Sequence, residues 1–146
     1  MENFLLLALF GIGMAHLEGV TVVYLRKALG FFDTQSNTEV LKEIPKRIIF
    51  IEKTREVATI LMLVTLALIV GQTYIDILLV FLWTFAFWDL FYYLSLYILI
   101  KWPSNFTTID VLFLIPRPWI APVWIPIGIS SITIITIAVL MLTAII

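Results

Sequence analysis

The chain has 146 residues, is 62% hydrophobic and 13% charged, and carries a formal net charge of −1 with no cysteine. This composition excludes disulfides, thiolate metal sites, iron–sulfur clusters and Cys-tethered haem. It shows none of the basic excess of a nucleic-acid-binding domain. So much apolar surface on so short a chain reads as a membrane protein: four apolar runs, near 3–25, 46–70, 76–100 and 122–146, are each close to the ~20 residues that span a hydrocarbon core. The expectation is an all-α, polytopic, four-transmembrane-helix bundle forming one membrane domain over 1–146. Glu2 stands where a secretory signal would carry its basic region, and no small-residue cleavage site closes the first run, so that run is read as a span.

The first run holds Gly11, Ala15 and Gly19 at intervals of four, a stripe that lets another helix approach closely and offers a route to homo-oligomers or other membrane subunits. Glu18 lies within about 60° of that stripe at 100° per residue. His16 is about 160° from Glu18 on the same helix, so the two do not share a site on a straight helix. His16 is the sole histidine, so haem ligation by two histidines would need a second chain. Gly30 suits the end of this helix, and Asn37 or Thr38 the cap of a short helix through Glu43.

Pro45 fits the first turn of the second span. There Glu52, Arg55, Glu56 and Thr59 follow i, i+3, i+4 and i+7 and share one face. The third span sets Phe85, Asp89, Tyr92, Tyr93 and Leu96 on one face by the same spacing. Next comes a long, apolar, proline-rich segment. It is expected to lie in the interface or re-enter the bundle, with a helical turn capped by Thr107 or Thr108 starting near Asp110 and the chain kept extended or kinked by Pro116, Pro118, Pro122 and Pro126. Trp102, Trp119 and Trp124 read as an interfacial belt. The last span carries Ser130 and Thr133 on one face and no ionisable residue.

All nine basic residues fall in or beside the first and third connections. By the positive-inside rule, 26–45 and 101–121 are cytoplasmic, and both termini face outward from a bacterial or archaeal plasma membrane. A charge at the centre of a membrane helix costs about 2.5–3.5 kcal/mol on insertion scales, so charges within the spans need an explanation. Counting 1.5 Å per residue from the cytoplasmic helix ends places Glu18, Arg55, Glu56, Tyr92 and Tyr93 at about 10–12 Å, Asp89 at about 16 Å and Glu52 at about 6 Å. Ionisable groups on three helices thus share the cytoplasmic half, and one common interior site reduces the cost of each. Arg55 can pair two carboxylates, which leaves at least one acid to be protonated, hydrogen-bonded by Tyr92 or Tyr93, or matched by a cation.

The candidate site is therefore Glu18, Glu52, Arg55, Glu56, Asp89, Tyr92 and Tyr93, binding or handling a proton or cation. A metal held only by the oxygens of Glu18, Glu52, Glu56 and Asp89 would suit a hard ion or manganese. No Glu-x-x-His pair, Gly-rich phosphate loop, Ser/His/Asp set or zinc-helix motif is present. Two other readings stay open: an accessory or assembly subunit of a larger membrane complex, and a metal-dependent enzyme acting on a lipid or quinone. The chain carries Glu18, then Glu52, Arg55, Glu56, Ala58 and Thr59, then Trp88, Asp89, Tyr92 and Tyr93, followed by Trp102, Pro103, Asp110 and the Pro116-to-Pro122 segment. In these the chain resembles a group of small uncharacterised bacterial four-helix integral membrane proteins over most of its length. The resemblance implies an architecture and a set of residues, and no reaction.

Overall fold

A computed structural model describes residues 2–30 and 38–143. In chain order the elements are α1 (Glu2–Leu29), α2 (Thr38–Glu43), α3 (Lys46–Val70), α4 (Tyr74–Ile100), β1 (Ile109–Phe113), β2 (Trp119–Pro122) and α5 (Trp124–Leu142). The chain is mostly helical. Among the described residues, three helices, α1 from Asn3, α4 and α5, are long and apolar enough to cross a membrane. α3 is 25 residues, about 37 Å at 1.5 Å per residue, but its first half carries Lys46, Arg47, Glu52, Lys53, Arg55 and Glu56.

Local chemistry sets the helix ends. α1 runs four residues past the expected boundary because nothing breaks it before Gly30, which adopts φ 76°, a left-handed conformation that glycine enters without Cβ strain. Asn37, one of the two expected caps of α2, lies outside the described residues, as do the side chains of Thr38 and Glu39. Pro45 occupies the cap position of α3 rather than its first turn. α4 starts with a capping box: Thr73 Oγ1 accepts the Asp76 amide at 3.2 Å, and the Asp76 carboxylate accepts the Thr73 amide at 3.0 Å. α4 ends at Lys101 in a left-handed conformation (φ 57°), just before Pro103, which cannot continue a helix.

α4 is the axis, and α1, α3 and α5 each pack against it. Gly11 and Gly19 set the closest approach of α1. A Cβ at Gly11 would fall 2.9 Å from the Thr84 carbonyl oxygen, and one at Gly19 would fall 3.0 Å from Ser95 Cβ. Ala15 between them is fully buried. The small-residue stripe is therefore covered by α4 of the same chain. One core joins Leu7, Ala67, Val80, Trp83 and Ile137, and Trp83 keeps its indole donor satisfied on the Phe4 carbonyl at 2.8 Å. A second joins Val22, Tyr93, Leu96, Trp102 and Val123. Outward faces are apolar: Leu6, Leu17, Ile69, Ile132 and Leu142 are all more than half exposed. That suits lipid as solvent, because such continuous apolar cover on a water-soluble protein would drive association.

The proline-rich segment is a β-hairpin, which corrects both the all-α expectation and the helical turn at Asp110. β1 and β2 pair antiparallel with Asp110 opposite Ala121 and Val111 opposite Ile120, then an irregularity before Phe113 meets Trp119. Pro116 and Pro118 lie in the connection, where no ladder donor is needed, and Pro122 ends β2. Thr108 caps no helix; its carbonyl accepts the Val123 amide at 2.9 Å and ties the hairpin to the start of α5. Phe113 stacks on Phe85 of α4 at 6.3 Å and on Trp119 at 6.4 Å, so an aromatic column docks the hairpin on the helices. Trp119 and Trp124 are exposed as a belt would be, whereas Trp102 is buried at 5% and belongs to the core.

Candidate functional site

A cavity of about 150 Å³ lies among α1, α2, α3, α4 and β1, at the end of the molecule where α1 finishes and α3 begins. All seven residues singled out from sequence line it. They do not form one bonded cluster.

Arg55 organises the first group. Its Nη1 donates to Glu18 Oε1, and its Nε and Nη2 donate to Glu52 Oε2 at 3.0 and 2.7 Å. The Glu52 bonds come from the i, i+3 spacing on α3, and the Glu18 bond spans from α3 to α1. Glu18 Oε2 accepts the indole of Trp88 at 2.7 Å and the hydroxyl of Thr59 at 3.4 Å. Glu18 therefore holds three side-chain donors from two other helices, an arrangement that fixes its carboxylate in place.

The other two acids lie outside the reach of Arg55. Glu56 turns to the hairpin, its two oxygens accepting the backbone amides of Leu114 at 2.8 Å and Ile115 at 3.1 Å. These are amides that the strand ladder leaves over, so Glu56 closes the hydrogen-bond account of the hairpin's end. Asp89 Oδ2 accepts the hydroxyl of Ser130 from α5 at 2.7 Å. Its Oδ1 makes no hydrogen bond among the described residues, nor does the phenol oxygen of Tyr92. Tyr93, expected as a donor to a surplus acid of the helices, donates to Asp110 Oδ2 at 3.2 Å.

The fold assembles a second arginine site that the sequence reading missed. Arg26, 8% exposed, lies 3.6 Å from Asp110 Oδ1, with its guanidinium 3.7 Å above the ring of Trp102. Its Nη1 has no hydrogen-bond partner among the described residues. Asp110 is itself 4% exposed, so this pair staples the hairpin to α1 inside the protein. A signal was present: Arg26 stands eleven positions after Ala15, about 20° away around the helix, on the stripe that α4 buries. Ser130, already noted on the polar face of the last span, proves to be the partner of Asp89.

Among the described residues, no three His, Cys, Asp or Glu side chains lie close enough to hold a metal ion. The oxygen-only set of Glu18, Glu52, Glu56 and Asp89 does not converge: Arg55 separates the first two, backbone amides occupy the third, and Ser130 draws the fourth toward α5. His16 is exposed and meets Ser95 Oγ at 3.3 Å, away from the cavity. Counting the lining residues described, five carboxylates (Glu18, Glu52, Glu56, Asp89, Asp110) face two guanidiniums (Arg26, Arg55), a formal excess of three negative charges. No family model, curated protein or solved structure matches this chain.

Proposed function

We propose that this chain is a four-span membrane protein of a bacterial or archaeal plasma membrane, its termini outside, whose cavity in the cytoplasmic half binds a cation or takes up a proton. α3 is the fourth span, with Glu52, Arg55 and Glu56 of its first half lining the cavity and its second half apolar. Arg55 is the organising charge that holds Glu18 and Glu52 in place. Asp89, with a hydroxyl as its hydrogen-bond donor and no arginine beside it, is the acid that receives the positive charge. The observation that carries this reading is the excess of three formal negative charges around a cavity of about 150 Å³ walled largely by apolar side chains. Carboxylates in such surroundings are stabilised by protonation or by a bound cation, and either event has a large differential energy.

The test is direct. Protein in lipid nanodiscs is titrated calorimetrically with sodium and potassium salts, and proton uptake is followed potentiometrically, for wild type and for Asp89→Asn. The Asn carbonyl still accepts the Ser130 hydroxyl, so the fold is retained. Saturable cation binding or proton uptake that disappears in Asp89→Asn supports the reading. Identical behaviour of the two proteins, both helical by circular dichroism, overturns it.

A further inference from the structure

We infer that the occupant of this cavity is an amphiphilic organic cation, an ammonium head carrying an apolar chain, a conclusion that rests on the cavity's taking positive charge and narrows what carries it. The cavity has two kinds of wall. Where α1 finishes, where α3 begins and along α2, Leu25, Leu41, Ile48 and Ile49 give it an apolar wall beside the Arg26–Asp110 pair. Deeper along the same helices it becomes polar, and there Asp89 and Tyr92 each present an oxygen without a hydrogen-bond partner among the described residues.

A small hard cation does not fit those walls. Calcium takes six to eight oxygens, and magnesium needs six in an octahedron. No three carboxylates converge among the described residues, and the apolar wall offers nothing to replace lost hydration. A quaternary ammonium head is weakly hydrated and needs only a counter-charge and an aromatic face. Asp89 supplies the counter-charge, and the ring of Tyr92 supplies a cation–π surface. The volume is several times the ~30 Å³ that a water occupies, room for a head group and the first carbons of a chain. The formal excess of three negative charges selects a cation over an anion of the same shape.

The probe is octyltrimethylammonium, measured by equilibrium dialysis against the full chain in nanodiscs, with protein-free nanodiscs giving the partition background. We expect saturable one-to-one binding above that background. Asp89→Asn should weaken it about tenfold or more, the scale of a lost charge-assisted contact. Tyr92→Phe should leave it within about twofold, because the cation–π face is kept. Ile48→Ala together with Leu41→Ala should weaken octyltrimethylammonium while leaving tetramethylammonium unchanged. Octyl sulfate binding as tightly as the ammonium, or octyltrimethylammonium binding unaltered in Asp89→Asn, overturns the inference. Should Asp89→Asn fail to fold, the paired Ile48/Leu41 variants decide: an equal loss for both ammonium ions sinks the amphiphile. Sodium, potassium or proton uptake that depends on Asp89, with no saturable octyltrimethylammonium, leaves the broader cation reading standing and defeats this one. Absence of every signal defeats both.

Discussion

The two sides of α1 make opposite use of one helix. Where it meets α4, glycine and alanine bring the backbones into contact and no space is left: Ala15 is fully buried, and a methyl group at Gly11 would strike a carbonyl oxygen. Where it turns toward α3, the helices are bridged by Arg55 and Glu18 across a cavity rather than filled by side chains. The seam is held by dispersion and shape, the gap by charge. A seam of this kind has one good packing, whereas a gap spanned by long ionic side chains is closed off by groups that a ligand can meet.

The comparison is sharpened first by the wall of the gap. Asp110→Ala leaves Arg26 buried beside Trp102 without its carboxylate, and this should cost about 3–5 kcal/mol, read as the largest drop in thermal unfolding temperature in micelles. If Asp110→Ala proved nearly neutral, the hairpin would not be part of the cavity's frame. On the seam side, Gly11→Ala should cost about 1–3 kcal/mol because α4 must move to admit the methyl group. Gly13→Ala, where an added Cβ meets nothing within 4 Å, is the internal control and should be neutral or stabilising by up to about 1 kcal/mol. Equal effects at the two glycines would break the claim that the seam is tight at one and open at the other.

Glu56→Gln keeps one acceptor for the hairpin amides and loses the other, a cost of about 1.5 kcal/mol. Hydrogen exchange at Leu114 and Ile115 should accelerate before exchange elsewhere in the protein. Among the cavity residues, the smallest effect on stability is expected at Asp89→Asn, under about 1 kcal/mol, because Ser130 keeps an acceptor. That variant separates a residue of the site from one of the frame: stability should barely change, while binding of the cation weakens about tenfold or more.

The α3 helix was legible because its signal is local. Pro45 at one end and Gly71 at the other bracket an unbroken run, and the helix occupies the expected 46–70. The end of α1 was misplaced because hydropathy falls at Arg26 and Lys27, and loss of hydropathy does not stop a helix; the chain turns only at Gly30. The hairpin was hidden for the opposite reason. Prolines suggested kinks, yet Pro116 and Pro118 sit in the connection between strands, and the apolar run Ile109–Phe113 is a strand because β2 and Phe85 are there to receive it. Strand propensity depends on what the strand packs against, so the run by itself did not announce it.

The site divides along the same line. Glu52, Arg55 and Glu56 are placed on one face by 3.6-residue periodicity, and the cost of charge among apolar residues marks Glu18 and Asp89 as needing partners; both statements follow from the amino-acid order alone. Which partners they take does not. Glu18 finds Arg55, Thr59 and Trp88, Asp89 finds Ser130, Glu56 finds two amides of the hairpin, and Asp110 leaves its expected helix for Arg26 and Tyr93. These pairings join residues 17 to 84 positions apart. Only the packing of α1, α3, α5 and the hairpin on α4 brings such positions within hydrogen-bond reach, so tertiary structure decided them.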